Sequence, residues 1–223
     1  MVVQAPLSAR PTSARPIGFV VAGGLSTRMG RDKALLPWQG STLIDHAIAR
    51  LAAVCSDVRV LCGPTSRYAD RGRPLVVDAN LDGRPIAAGS AHSTWRPGPL
   101  AGLAAGLASA GDVPGLYLAV DLPLVGVDLL AALAAIIGHA DAVVPVTACG
   151  PEPLCAVYAP RCLGAVRARL AAGDLRMTSF WPDVRVHTLE GPALAAFGDP
   201  DRMFLNLNAP ADYGTARGPE DQP

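Results

Sequence analysis

Short apolar segments alternate with longer segments of helical periodicity along most of the chain. Residues 17–22 are a continuous apolar run that stops at Gly23 and Gly24, which is typical of a buried strand. Leucine, isoleucine and alanine then recur at helical spacing up to about residue 53, after Ser41 or Thr42 as a cap. The same two patterns predict strands at 58–62, 75–77, 116–120, 142–146, 153–158 and 184–189, and helices at 99–110, 128–137 and 161–172.

This alternation predicts the fold class. Strands of a parallel sheet are covered by helices on both faces, so they are continuous apolar runs. We therefore expect an α/β protein, a Rossmann-like three-layer sandwich with a mostly parallel sheet. One domain is expected at 17–213, between an N-terminal tail at 1–16 and a C-terminal tail at 214–223.

Composition narrows the classes of function. The chain has 223 residues, of which 50% are hydrophobic and 17% charged, a composition typical of a globular protein with a large core. Nineteen basic and nineteen acidic residues give a net charge of zero, so neither nucleic acid nor a membrane is an expected partner. Five cysteines without a C-x-x-C motif are interpreted as core residues in a reducing compartment. The N-terminus lacks the pattern of a signal peptide, so a cytoplasmic location is expected.

The residues that follow the predicted strands carry the candidate chemistry, because ligands of open parallel sheets bind beyond the carboxyl ends of the strands. The first strand precedes a glycine-bearing loop that ends at Lys33, the third precedes Asp78 and the fourth precedes Asp121. Glycine N–H groups can approach anionic oxygens closely, and aspartate supplies the oxygen ligands that Mg²⁺ prefers. The pattern indicates a phosphate and Mg²⁺ site. The alternative is a glycine turn with solvated Arg28 and Lys33 and with aspartates that cap loops or helices.

The loop is not one of the two common nucleotide-binding motifs. A P-loop requires G-x-x-x-x-G-K-[ST], whereas Gly24 and Gly30 are six positions apart and Asp32 precedes Lys33. The dinucleotide signature G-x-G-x-x-G is also absent, so ATPase, GTPase-switch and dehydrogenase functions lose support. Lys33 is the only lysine beside eighteen arginines, which raises the question whether this site needs a compact charge on a flexible stem.

The loop belongs to a longer motif that resembles the N-terminal signature of the MobA-like nucleotidyltransferases of molybdenum cofactor synthesis, and among them the guanylyltransferases. That signature is Ala22-Gly23-Gly24-x-Ser26-x-Arg28-Met29-Gly30-x-Asp32-Lys33-Ala34-Leu35-Leu36. Four further segments resemble family motifs in the same order: Gly98-Pro99-Leu100-Ala101-Gly102, Asp121-x-Pro123, Pro153-Leu154-Cys155-Ala156-x-Tyr158 and Phe204-x-Asn206-x-Asn208-x-Pro210. The resemblance covers residues 17–213.

The resemblance implies a three-layer sandwich of nucleotidyltransferase type. It also implies the transfer of GMP from GTP to the terminal phosphate of molybdopterin, with release of pyrophosphate. It implies Mg²⁺ as cofactor, GTP and molybdopterin or Mo-molybdopterin as ligands, and molybdoenzyme maturation proteins as further partners. The implied nucleotide-binding residues are Val21, Ala22, Gly23, Gly24, Lys33, Asp78 and Asp121. The implied catalytic residues are Arg28, Lys33 and Asp121, with Asp121 as the metal ligand. The residues implied to bind molybdopterin are Arg176, Asn206 and Asn208.

The chain departs from the expected pattern at a few positions. Gly63 and Pro64 follow the second strand where a polar, nucleotide-contacting side chain is expected, and Ala209 stands where threonine is usual. Three alternatives stay open: a cytidylyltransferase of the same pathway, a sugar-phosphate nucleotidyltransferase, and a catalytically silent protein that binds nucleotide or pterin. Relatives that use CTP carry Ala-Ala-Gly at the loop, so Gly23 is the position expected to favour the larger purine.

Overall fold

Strands and helices alternate through the part of the chain that the structure, a computed structural model, describes: residues 15–23, 32–63, 66–77 and 98–207. The strands are β1 (Ile17–Val21), β2 (Pro37–Trp38), β3 (Ser41–Thr42), β4 (Asp57–Leu61), β5 (Leu75–Val76), β6 (Gly115–Ala119), β7 (Ala142–Thr147), β8 (Gly150–Pro151), β9 (Cys155–Tyr158) and β10 (Val186–Glu190). The α-helices are α1 (Leu43–Val54), α2 (Pro99–Ala110), α3 (Val127–Ile136), α4 (Cys162–Ala171), α5 (Gly191–Ala195) and α6 (Pro200–Met203).

The main sheet has the order β10-β7-β9-β6-β1-β4-β5, and β8 forms a hairpin with β7. Its β1, β4, β5 and β6 strands are parallel, as is the β7–β10 pair, whereas β9 is antiparallel to both of its neighbours. The predicted α/β class with a mostly parallel sheet is confirmed. In register, Val21 pairs with Leu61 on one side and with Ala119 on the other, so β1, β4 and β6 end side by side.

Two apolar layers cover the sheet because side chains of a strand point alternately to opposite faces. Val20 and Leu118 face the layer that α1 and α3 complete, while Phe19 and Tyr117 face the layer of α2 and α4. The rings of Phe19 and Tyr117 stack with centroids 4.9 Å apart. Both layers are built from buried side chains, with partly buried ones packed at their margins, and the predicted three-layer sandwich is therefore the observed architecture.

Helix α1 is anchored at both ends by polar contacts. Thr42 caps its N-terminus, because its hydroxyl oxygen accepts a hydrogen bond from the backbone N–H of Asp45. At the other end Arg15 donates to the carbonyl oxygens of Val54 and Ala53, at 2.7 and 2.9 Å. These carbonyls belong to the last turn of the helix and have no partner within it. The contacts from Arg15 therefore tie the end of α1 to the residues that precede β1.

Four of the five cysteines are buried, as predicted, but Cys149 is exposed in the turn between β7 and β8. The core assignment was wrong for Cys149, because a tight turn leaves its side chain no apolar surface to cover. Among the described residues no helix has the length and apolar character needed to cross a membrane.

Candidate active site

The carboxyl ends of β1 and β6 bring together the first set of predicted site residues. Beyond β1, the N–H of Ala22 donates to the carbonyl of Leu61 at 2.9 Å. Beyond β6, the N–H of Val120 donates to the carbonyl of Val21 at 3.2 Å. These bonds continue the sheet past its regular strands. Val21, Ala22 and the following Gly23 therefore lie beside the chain that leads into Asp121.

Gly23 and Gly63 pack backbone against backbone at this edge. A Cβ atom at Gly63 would lie 2.9 Å from the carbonyl oxygen of Gly23, and a Cβ at Gly23 would lie 3.0 Å from the nitrogen of Gly63. Gly63 also has a φ of 74°, in the left-handed region that favours glycine. The expected polar side chain at position 63 therefore has no room, which explains why the chain departs from the expected pattern there.

Lys33 and Asp121 form a salt bridge across the edge of the sheet. The Nζ of Lys33 lies 3.0 Å from Oδ2 of Asp121, and the two side chains are only 14% and 27% exposed. Lys33 is the first residue of a short 3-10 turn whose next residue, Ala34, is buried. Asp32 caps this turn by accepting a hydrogen bond from the N–H of Ala34 at 3.1 Å. A positive and a negative side chain thus meet at the carboxyl edge of the sheet, beyond the ends of β1 and β6.

The carboxylate of Asp32 is bound by two residues that follow β4. The hydroxyl of Tyr68 lies 2.8 Å from Oδ2 and 2.9 Å from Oδ1 of Asp32, and Arg67 donates to Oδ2 at 3.1 Å. Arg67 also donates to the carbonyl oxygen of Ala22 at 3.2 Å. Sequence reasoning did not assign Arg67 or Tyr68 any role.

The turn after Asp121 is held by α1. The carbonyl oxygen of Pro123 accepts a hydrogen bond from the guanidinium of Arg50 and lies 3.3 Å from Nε2 of His46. Burial, with a smaller effect from the charge of Arg50, lowers the pKa of His46, so the neutral imidazole is favoured. His46 is therefore partly buried and supports the turn.

Glu152 is a second carboxylate near Asp121. Burial and, to a smaller degree, the charge of Asp121 raise the pKa of Glu152 from its usual value to about 6. Its backbone is fixed, because its N–H donates to the carbonyl of Pro145 and its carbonyl accepts from Cys155. The two carboxylates create negative potential at the edge of the sheet, which favours a bound cation.

The residues predicted to bind molybdopterin fall on two segments. Asn206 is exposed, and the next residue, Leu207, donates its N–H to the carbonyl oxygen of Asp121 at 3.1 Å. The closing segment is thereby attached to the aspartate. Arg176 lies after α4 and is bound by the carboxylate of Asp174 at 2.7 and 3.0 Å. The hydrogen bonds from Arg176 lower the pKa of Asp174 to about 2.

Gly24, Arg28, Asp78 and Asn208 lie outside the described residues. Their predicted roles, like those of the residues described above, stay predictions.

A divalent cation fits the donor atoms of this site. Within the described ranges no group of three or more histidine, cysteine, aspartate or glutamate side chains could form a complete metal site. Mg²⁺ does not need one, because it is usually held by one or two carboxylates together with substrate phosphates and water. The carboxylate of Asp121, with Glu152 nearby, is of the required type.

An α/β sheet with a lysine, an aspartate and a closely packed glycine pair at its carboxyl edge is the arrangement expected of a protein that binds a nucleotide and its metal ion there. Comparison with known proteins agrees. Residues 18–183 match the model of the MobA-like NTP transferase domain. The chain therefore belongs to the MobA-like NTP transferase family, and it is a nucleotidyltransferase.

Individual relatives support this assignment. The chain is 35% identical to a probable molybdenum cofactor guanylyltransferase of Chloroflexus aggregans, over 87% of this chain and 90% of the relative. It is 34% identical to the molybdenum cofactor guanylyltransferase of Desulfosudis oleivorans, over 86% and 89% of the two chains. The fold is similar to the crystal structure of molybdopterin-guanine dinucleotide biosynthesis protein A from Archaeoglobus fulgidus, with a TM-score of 0.71, 22% identity and coverage of 90% and 96%.

Proposed function

We propose that this protein transfers GMP from GTP to the terminal phosphate of molybdopterin or Mo-molybdopterin. An oxygen of the acceptor phosphate forms a bond to the α-phosphorus of GTP, the bond between the α-phosphorus and its bridging oxygen to the β-phosphate breaks, and pyrophosphate leaves. The product is molybdopterin guanine dinucleotide. The observation that supports this function best is the pairing of Lys33 with Asp121 at the carboxyl edge of the sheet, in a chain of this family.

The proposed chemistry requires positioning and charge stabilisation rather than a covalent catalyst. Lys33 is mostly shielded from solvent, so its ammonium acts on phosphate oxygens more strongly than an exposed charge. It would stabilise the triphosphate and the departing pyrophosphate. Arg28 shares this role in the proposal on the basis of the sequence resemblance alone.

Asp121 would hold Mg²⁺, which supplies neutralisation of the phosphate charges. The backbone of Asp121 is fixed on two sides, since its carbonyl accepts from Leu207 and the following turn is bound by Arg50. A ligand held in this way loses little conformational freedom when it binds. Glu152 adds negative charge on the same side of the site.

The remaining substrate contacts are proposed from the sequence resemblance and from the residues that lie close to Asp121. The backbone of Val21, Ala22, Gly23 and Gly24 would bind the nucleotide, with Asp78 near the guanosine. Asn206, attached to the backbone of Asp121 through Leu207, would contact the pterin phosphate together with Asn208 and Arg176. A cytoplasmic location and delivery of the product to molybdoenzyme maturation proteins complete the proposal.

The proposed function is tested by a competition assay. Wild-type protein is incubated with Mg²⁺, molybdopterin and equal concentrations of GTP, CTP and ATP, and the dinucleotide product is identified by mass spectrometry while pyrophosphate is measured. We expect the guanine dinucleotide to predominate. Predominance of the cytosine dinucleotide would identify the cytidylyltransferase instead. Nucleotide binding without pyrophosphate release would identify a silent carrier.

A further inference from the structure

Arg67 and Tyr68 contact both sides of the glycine-bearing loop at once. On the side that precedes the loop, Arg67 donates to the carbonyl oxygen of Ala22 at 3.2 Å, and the hydroxyl of Tyr68 lies 3.4 Å from the same oxygen. On the side that follows the loop, both residues bind the carboxylate of Asp32. One pair of adjacent residues therefore fixes the distance between the two ends of the loop.

The pair is itself rigid. Tyr68 is only 7% exposed, and the guanidinium carbon of Arg67 lies 5.1 Å from the centre of its ring. Tyr68 has a φ of 69°, a left-handed conformation that is uncommon for a residue with a side chain. Such a conformation persists where surrounding contacts determine it, and it is often associated with functional sites. The contacts with Asp32 and Ala22 are of this kind.

The effect of these contacts extends to the catalytic lysine through one residue. Asp32 binds the N–H of Ala34 and so defines the 3-10 turn that begins at Lys33. This 3-10 turn places the ammonium of Lys33 against the carboxylate of Asp121. An unsupported Asp32 carboxylate could rotate away from the turn, and Lys33 would then occupy a range of positions.

We propose that Arg67 and Tyr68 are positioning residues, which hold Asp32 and through it Lys33 in the place that nucleotide transfer requires. This inference rests on the proposed function in one respect, that Lys33 is the group that meets the triphosphate. Neither residue needs to touch the substrate. They fix the position of the Lys33 ammonium before the reaction begins. Such preorganisation of a charge is the condition for strong electrostatic catalysis.

Tyr68→Phe is the variant that tests the proposal, because it keeps the ring and removes the hydroxyl. We expect kcat/KM for GTP to fall by about tenfold, the typical effect of losing one hydrogen bond to a charged group. Tyr117→Phe is the matched control: Tyr117 is also buried, and its hydroxyl donates to the carbonyl of Leu103 at 3.1 Å. Tyr117→Phe should leave kcat/KM unchanged. Each variant loses one hydrogen bond of a buried tyrosine, so we expect both to have a similarly lowered melting temperature.

A double variant distinguishes positioning from a general structural effect. If Tyr68 acts through Lys33, adding Tyr68→Phe to Lys33→Ala should cause no further loss of rate. Rate losses that multiply in the double variant would overturn the proposal.

Two measurements do not depend on turnover. Lys33 is the only lysine, so a peptide-resolved acylation assay with an amine-reactive ester, which reacts with the unprotonated amine, reports on the Lys33 side chain alone. In Tyr68→Phe we expect faster acylation of Lys33 and faster hydrogen exchange at the amide of Ala34, and in Tyr117→Phe we expect neither. Rates equal to wild type in Tyr68→Phe would overturn this proposal even if GTP transfer is observed. A wild-type protein that fails to use GTP, together with faster acylation in Tyr68→Phe, would overturn the proposed function and support the positioning role.

Discussion

Lys33 and Asp121 are 88 positions apart in the chain, and their side chains meet at 3.0 Å. The pair is partly exposed, so it stabilises the fold by no more than about 1 kcal/mol. The importance that we propose for it is chemical. A cation that binds Asp121 competes with the ammonium of Lys33 for the same carboxylate, and a polyphosphate attracts that ammonium. Metal and nucleotide are therefore expected to bind together more tightly than separately.

Lys33→Ala should lower the rate of nucleotide transfer while leaving the fold intact. Removal of one preorganised charge at such a site typically costs about 3 kcal/mol in the transition state, or about a hundredfold in rate. Binding of Mn²⁺ alone should become tighter, because Asp121 loses a competing partner. Steady-state kinetics, calorimetric Mn²⁺ titration and thermal melting measure the three quantities. A melting temperature that collapses together with the rate would show that Lys33 is structural.

Asp121→Asn should abolish metal-dependent turnover and weaken binding of Mg²⁺ and Mn²⁺, since an amide oxygen is a poorer ligand than a carboxylate. Asp128→Asn is a suitable control, because Asp128 is exposed in the first turn of α3 and only seven positions away. Activity is measured over a range of Mg²⁺ concentrations for all three proteins. If Asp121→Asn kept the Mg²⁺ dependence of wild type, the metal site would lie elsewhere.

The elements that were predicted from the sequence are those with strong periodic patterns. The helix at 99–110 was predicted with its observed bounds, and the first strand was predicted at 17–22 and ends at Val21. The hairpin β2–β3, the β7–β8 turn, and helices α5 and α6 were not predicted. Each is too short for a period to be visible, so its conformation depends on contacts with the rest of the fold. The antiparallel direction of β9 was not predicted either, because an apolar run carries no information on the direction of a strand.

The candidate site was predicted only in part. Lys33 and Asp121 were both identified because they follow strands, and the structure brings them together. Arg67 and Tyr68 were missed because nothing in their sequence context marks them; their role depends on a backbone turn after β4. Glu152 was missed although it immediately precedes a recognised motif. The signal that could have identified it was the position of a carboxylate directly before that motif.

Glu152→Gln should stabilise the protein at neutral pH but not at low pH. The pKa of Glu152 is about 6 in the folded protein, above the usual value of 4.5, so the folded state favours the protonated carboxyl. Its contribution to stability is thus full below pH 4.5 and is lost as the pH rises through 6. After allowance for its partial exposure to solvent, the loss is about 1 kcal/mol.

The measurement is urea unfolding of wild type and variant in metal-free buffer on both sides of this interval. Glu190→Gln serves as the control, because Glu190 is exposed at the end of β10. The control removes a carboxylate that is exposed, whereas Glu152→Gln removes one that is partly buried. A difference between wild type and Glu152→Gln that does not depend on pH would contradict the prediction.

Comparison of Gly63→Ala with Gly72→Ala separates the cost of backbone strain from the cost of a steric collision. Gly63 and Gly72 both have left-handed backbones, with φ of 74° and 64°, but a Cβ at Gly72 meets nothing within 4 Å. Gly72→Ala should therefore cost about 1 kcal/mol for strain alone. Gly63→Ala should cost more, since its Cβ also meets the carbonyl oxygen of Gly23 at 2.9 Å, and it should raise KM for GTP. Urea unfolding and steady-state kinetics of both variants test this, and equal effects on KM would contradict it.

Gly23→Ala tests the expected link between this glycine and the purine base. Its Cβ would lie 3.0 Å from the nitrogen of Gly63, so the backbone of Gly63 or the end of β1 must shift by a few tenths of an ångström at the edge where the nucleotide is proposed to bind. One methyl group in a pocket usually discriminates by about 1 to 3 kcal/mol, so we expect wild type to prefer GTP over CTP by roughly ten- to a few-hundredfold. Gly23→Ala should narrow this ratio mainly by slowing the reaction with GTP. Competition between the two nucleotides, with the dinucleotide products counted, measures the ratio directly. A ratio that stays constant while both reactions slow equally would mean that the glycine pair only supports the fold and does not select the base.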